Sequence, residues 1–121
     1  LCFNQMSDLE SQDSVDMIME KFYRFIDEYR RQPDELSSFI IGLNNPAYRD
    51  FEKFESIFWN FLRTINRIDK TQYPHDERVS SDPQSNDFSF SIKQEAFFIL
   101  VLHPQSPRFA RRFSSPCVVF N

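Results

Sequence analysis

The sequence predicts an α+β fold, two amphipathic helices packed on a small, mainly antiparallel sheet, and three observations carry that prediction. Apolar residues recur at helical spacing over residues 13–31 and again from Pro46 to about Ile68. Short apolar or alternating runs stand at 38–43, 88–92, 96–102 and 116–120. These segments do not follow the regular strand–helix–strand alternation that builds a doubly wound parallel sheet.

In the first helix Val15, Ile18, Phe22, Phe25, Ile26 and Tyr29 form the apolar stripe. Asp13 or Ser14 is the expected cap, Arg30 and Arg31 suit the C-terminal turn, and Pro33 stops the helix. The run SFIIGL, Ser38 to Leu43, reads as a strand followed by the turn residues Asn44, Asn45 and Pro46. Asn45 then caps the second helix with Pro46 at its first position. Its stripe is Phe51, Phe54, Phe58, Phe61, Leu62 and Ile65, with Trp59 off the centre. Residues 69–87 are polar, carry Pro74 and Pro83, and read as a loop. His75 within it has no second ligand at a metal-site spacing. Phe88, Phe90 and Ile92 alternate with serines as a half-buried strand does. Lys93-Gln94-Glu95 makes the turn of a hairpin, and Ala96 to Leu102 reads as one continuous strand covered on both faces. Residues 106–112 read as a helical turn, and Pro116 to Phe120 as a further strand.

Composition narrows the function. Fifteen of the 121 residues are Phe, so large flat apolar side chains fill the interior. Gly42 is the only glycine, which excludes Gly-rich phosphate loops of the P-loop and dinucleotide-binding kinds. A net charge of −4 argues against nucleic-acid binding. No apolar stretch is long enough for a membrane span and no secretory segment is visible. Cys2 and Cys117 match no zinc or redox spacing, and two reduced thiols in a cytoplasmic protein are expected. The chain opens on Leu1 and closes on Asn121 directly after a strand-like run, so the expectation is a partial single domain over 1–121 with N-terminal and C-terminal portions missing.

The most informative stretch is FFILVLHPQSPRFARRFSSPCVVFN, residues 97–121. An apolar strand stops at His103-Pro104, a loop carries Arg108, Arg111 and Arg112 with no acidic residue after Glu95, and an apolar run follows. From periodicity alone this is a strand end with a solvated basic loop; as a local cationic patch it suits a carboxylate.

Taken in order, FEKFESIFWNFLRTIN, Asp82-Pro83, DFSFSI, AFFILVLHPQSPRFARRF and PCVVFN resemble the YqcI/YcgG family over about 70 residues. The chain departs from that family at Lys93-Gln94-Glu95 and at Val101, where glycines are usual. Family members known biochemically are heme-dependent oxygenases that hydroxylate a guanidine nitrogen of arginine or arginine-derived metabolites. The resemblance therefore implies a heme cofactor, a guanidino substrate and monooxygenase activity. It implies His103 as axial iron ligand, with a histidine downstream of VFN in the family as the competing ligand. Phe97, Phe98, Phe109 and Phe113 would line the heme slot, and Arg108, Arg111 and Arg112 would meet propionates or a substrate carboxylate. Adjacent Arg111 and Arg112 are expected to point different ways, and Cys117 to be a small buried residue. Two alternatives stand beside this: a non-catalytic interaction or anion-binding module with exposed aromatic surface, and a heme-free enzyme holding an anionic metabolite on the arginine loop.

Overall fold

The computed structural model describes residues 2–33, 38–74 and 90–121. Its elements run β1 (Cys2–Met6), α1 (Gln12–Arg31), β2 (Phe39–Leu43), a 3-10 turn (Pro46–Arg49), α2 (Phe51–Asp69), β3 (Phe90–Ile92), β4 (Glu95–Phe97), β5 (Ile99–Leu102), a second 3-10 turn (Phe109–Arg111) and β6 (Cys117–Phe120). The fold is α+β, with one four-stranded sheet of order β1-β2-β6-β5 and a separate β3-β4 pair.

The sheet is mixed. β1 pairs parallel with β2, Cys2 opposite Phe39, while β2–β6 and β5–β6 are antiparallel. A parallel pair needs a crossover, and α1 supplies it. β1 has no counterpart in the sequence reading, because its pattern is inverted: Asn4 and Met6 are buried and Phe3 is 58% exposed. Asn4 is satisfied inside by donating to the Ile40 carbonyl at 3.3 Å.

α1 is capped by Ser11, ahead of the expected Asp13 or Ser14, its hydroxyl accepting from the Ser14 amide. Val15, Ile18, Met19, Phe22, Phe25 and Ile26 face the core, whereas Tyr29, expected in the stripe, is exposed. Phe22 is the centre of that core. It stacks on Phe39 at 4.3 Å and meets the edges of Phe97 and Phe120 at 5.1 and 5.0 Å, joining α1 to both sheets.

The second predicted helix divides. Asn45 caps the first 3-10 turn through the Ala47 amide with Pro46 at its start, and Asp50 caps α2 afresh through the Lys53 amide. Phe54, Phe58, Phe61, Leu62 and Ile65 are buried as the stripe requires, Phe51 is half-buried, and Trp59 is half exposed.

The hairpin turn is two residues, not three. Lys93 and Gln94 both have positive φ, 51° and 66°, and Glu95 already pairs with Ile92. Positive φ at both central positions is the signature of a type I′ turn, adopted here without glycine. The continuous strand expected over 96–102 breaks at Phe98, β4 joining β3 and β5 joining the main sheet as its edge, where it is half-buried throughout. Phe98 and Asn121 exchange backbone hydrogen bonds at 2.9 and 2.8 Å across that break.

Asp69, the last residue of α2, fastens the hairpin to both helices. It is fully buried, accepts from the Tyr23 hydroxyl at 2.9 Å and the Lys93 amide at 3.0 Å, and pairs with the Lys70 ammonium at 2.8 Å. Lys70 continues to the Ser91 carbonyl at 2.9 Å. Arg30 reaches Glu95 and the Lys93 carbonyl from α1.

Candidate functional site

Strand β5 runs apolar to Leu102 and stops at His103, since Pro104 has no amide to extend the ladder. The chain then turns back, the Ser106 amide bonding the His103 carbonyl at 3.2 Å and the His103 amide bonding the Arg111 carbonyl at 3.0 Å. This closes a loop whose 3-10 turn displays the arginines as expected, over Phe109–Arg111.

Beside the loop is an open depression of about 420 Å³, within the usual size range of small-molecule sites. Phe98, Ile99, Leu100 and Val101 give it an apolar lining, Ser106, Pro107, Arg108 and Arg111 come from the loop, and Phe51 and Glu55 come from the first turns of α2. Two cationic forks and one carboxylate therefore share one cleft. Among the described residues neither arginine side chain nor Glu55 is committed to an ion pair.

The expected site residues separate into three groups. Arg108, Arg111 and Phe98 come together in the depression, Phe98 being 64% exposed. Arg112 turns elsewhere, its Nε donating to the Ser106 carbonyl at 3.0 Å and its guanidinium lying over the Phe109 ring. Phe109 and Phe113 are exposed and lie outside the lining of the depression, and Phe97 faces the core against Phe22 and Phe120. His103 is the largest departure. It is fully buried, between Phe51 and Phe54 at ring separations of 5.3 and 5.4 Å. Its Nε2 lies 2.7 Å from the Tyr48 carbonyl and its Nδ1 accepts from the Gln105 amide at 3.0 Å.

A carbonyl oxygen only accepts, so Nε2 carries the proton, and the lone pair on Nδ1 is taken by an amide. Neither nitrogen has a lone pair left for iron, and this arrangement does not fit His103 as an axial heme ligand. Among the described residues no group of three or more His, Cys, Asp or Glu side chains is placed to hold a metal. His75 lies outside the described residues. Cys117 is buried, and burial raises its thiol pKa, so it stays protonated and inert. No described helix is long and apolar enough to cross a membrane.

Glu55 is the site residue that the sequence reading missed. The available signal was its spacing of four from Phe51, which puts both on one face at the start of α2.

A model of the YqcI/YcgG family matches residues 1–121. No curated protein and no solved structure matches the chain.

Proposed function

The chain belongs to the YqcI/YcgG family, and from that premise we propose that its depression binds a guanidino carboxylic acid of the arginine kind. The observation that carries this reading is the convergence of Arg108, Arg111 and Glu55 on one cleft with an apolar lining. Arginine forks pair bidentately with a carboxylate, and a glutamate oxygen pair does the same for a guanidinium. The methylene chain between those two ends suits Phe98, Ile99 and Val101. A simple anion would leave Glu55 without a role, and a simple cation would be repelled by the arginines.

For the heme-dependent N-hydroxylation that the family resemblance implies, the iron ligand has to be sought at a residue other than His103. These residues bind and orient; no oxidation step is assigned to them. A second reading, an interaction module, draws support from the exposed rings of Phe98, Phe109 and Phe113.

Calorimetric titration with arginine, agmatine and citrulline separates the readings, since the last two lack the carboxylate and the guanidine charge respectively. Arginine is expected to bind best. The double replacement Arg108→Ala/Arg111→Ala should weaken it by about 10- to 100-fold, the weight of a charge-assisted hydrogen bond or two. Glu55→Gln should erase the preference for arginine over citrulline. Equal binding of all three compounds, unaffected by either change, would refute the proposal. No binding together with self-association of the chain would favour the module.

A further inference from the structure

All four polar atoms of residue 103 are engaged, and together they join the two walls of the depression. The amide, the carbonyl and Nδ1 hold Arg111, Ser106 and Gln105 of the arginine loop, while Nε2–H holds the Tyr48 carbonyl. Tyr48 belongs to the 3-10 turn that leads into α2, and α2 carries Phe51 and Glu55. The Gln105 side chain adds a weaker link, accepting from the Phe51 amide at 3.4 Å. The Nδ1 bond to the amide two residues on has the pattern that an Asn or Asp side chain makes in an Asx turn, with imidazole in its place.

We propose that His103 is a positioning residue, a neutral imidazole locked in the Nε2–H tautomer, whose Nδ1 closes the turn that presents Arg108 and Arg111 to the depression and whose Nε2–H anchors that turn to Tyr48. The site it positions rests on the guanidino-acid binding proposed for the depression, but the tautomer and the lock do not. Full burial between two Phe rings leaves no water to replace either bond. Within the loop the Arg111 amide bonds the Arg108 carbonyl at 2.9 Å and the Arg108 amide bonds the Ser106 hydroxyl at 3.3 Å, so the placement of both arginines follows from the turn that Nδ1 closes.

Two substitutions take the lock apart. His103→Asn retains an oxygen able to accept from the Gln105 amide and loses the reach to Tyr48. His103→Gln retains an amide donor toward Tyr48 and is too long to close the turn. If the turn positions the arginines, His103→Asn should bind arginine within about twofold of the unsubstituted chain and His103→Gln about tenfold more weakly, one lost hydrogen bond. Both should melt earlier, so affinity and melting temperature part company. Equal affinities for both variants, with only the melting temperature lowered, would make His103 merely structural and overturn the proposal. Nitrogen NMR of the imidazole tests the lock independently of any ligand. The unsubstituted chain should show one protonated nitrogen, Nε2, and a slowly exchanging Gln105 amide. A charged ring or an Nδ1–H tautomer would overturn the lock, even if arginine binds nowhere on the chain. A hemin titration followed by absorbance completes the test: any heme band should survive His103→Asn, and its loss in a variant still folded by circular dichroism would return the iron to this residue.

Discussion

Replacing Asp69 by Asn exchanges one oxygen for an NH2 group and removes one buried charge, and it should cost this fold a large part of its stability. The carboxylate is fully buried and receives the Tyr23 hydroxyl, the Lys93 amide and the Lys70 ammonium. Asn keeps an accepting oxygen for Tyr23 and Lys93, but turns its NH2 group toward the ammonium. Stripping one partner from a fully buried ion pair costs about 3–5 kcal/mol. Lys70 is 25% exposed and keeps its bond to the Ser91 carbonyl, so the cost falls at or just below the lower end, about 2–3 kcal/mol. For a domain of this size each kcal/mol moves the melting temperature by about 3–5 °C, so the drop should be about 10 °C. Thermal unfolding followed by circular dichroism measures it. The Tyr23→Phe variant and the double variant complete a cycle whose coupling should be about 1 kcal/mol. An Asp69→Asn chain that melts within about 2 °C of the original would refute the reasoning, because the buried carboxylate would then be holding nothing.

Two smaller effects follow from the same region. Gln94 is exposed and held at φ 66°, so Gln94→Gly should stabilise by about 0.5–1 kcal/mol, read as a higher denaturation midpoint at unchanged slope. Tyr23 has its pKa raised, by burial first and by the hydrogen bond and charge of Asp69 next. Its folded value lies above its unfolded one, so its contribution is whole below about pH 10 and lost as the pH climbs toward the folded value. Melting temperatures should fall as the pH rises above about 10, and less steeply in Tyr23→Phe, with Tyr48, also raised by burial, supplying part of what remains.

Much of the fold was legible because periodicity reports burial directly. Phe54, Phe58, Phe61 and Ile65 could only be one face of a helix, and FIIGL was a strand from its composition. β1 was not legible, since a strand that buries Asn4 and exposes Phe3 reverses the usual pattern and is set by pairing with β2. The break at Phe98 was hidden for a similar reason: two sheets share an unbroken apolar run, and the place where the chain changes sheets is decided by Asn121. At the site, the sequence located the arginine loop and the opposed directions of Arg111 and Arg112. It misread His103, because the chemistry of an imidazole depends on what occupies its nitrogens. One occupant, the Tyr48 carbonyl, lies 55 residues away. Glu55 sits on an otherwise solvated helix face, and only the fold of the loop against it gives that carboxylate a neighbourhood.

The position of β6 bears on how this protein is made. It lies between β2 and β5 in the sheet although it follows both in the chain. Phe39 has to wait for Phe120, and Leu102 for Cys117. During synthesis the β1–β2 pair and β5 therefore emerge from the ribosome with apolar edges that have nothing native to bond. Closing so long a loop is slow, and open edges recruit other chains. Until residues 117–120 have left the ribosome the nascent chain stays at its most adhesive, which makes their emergence the natural moment for a chaperone to matter.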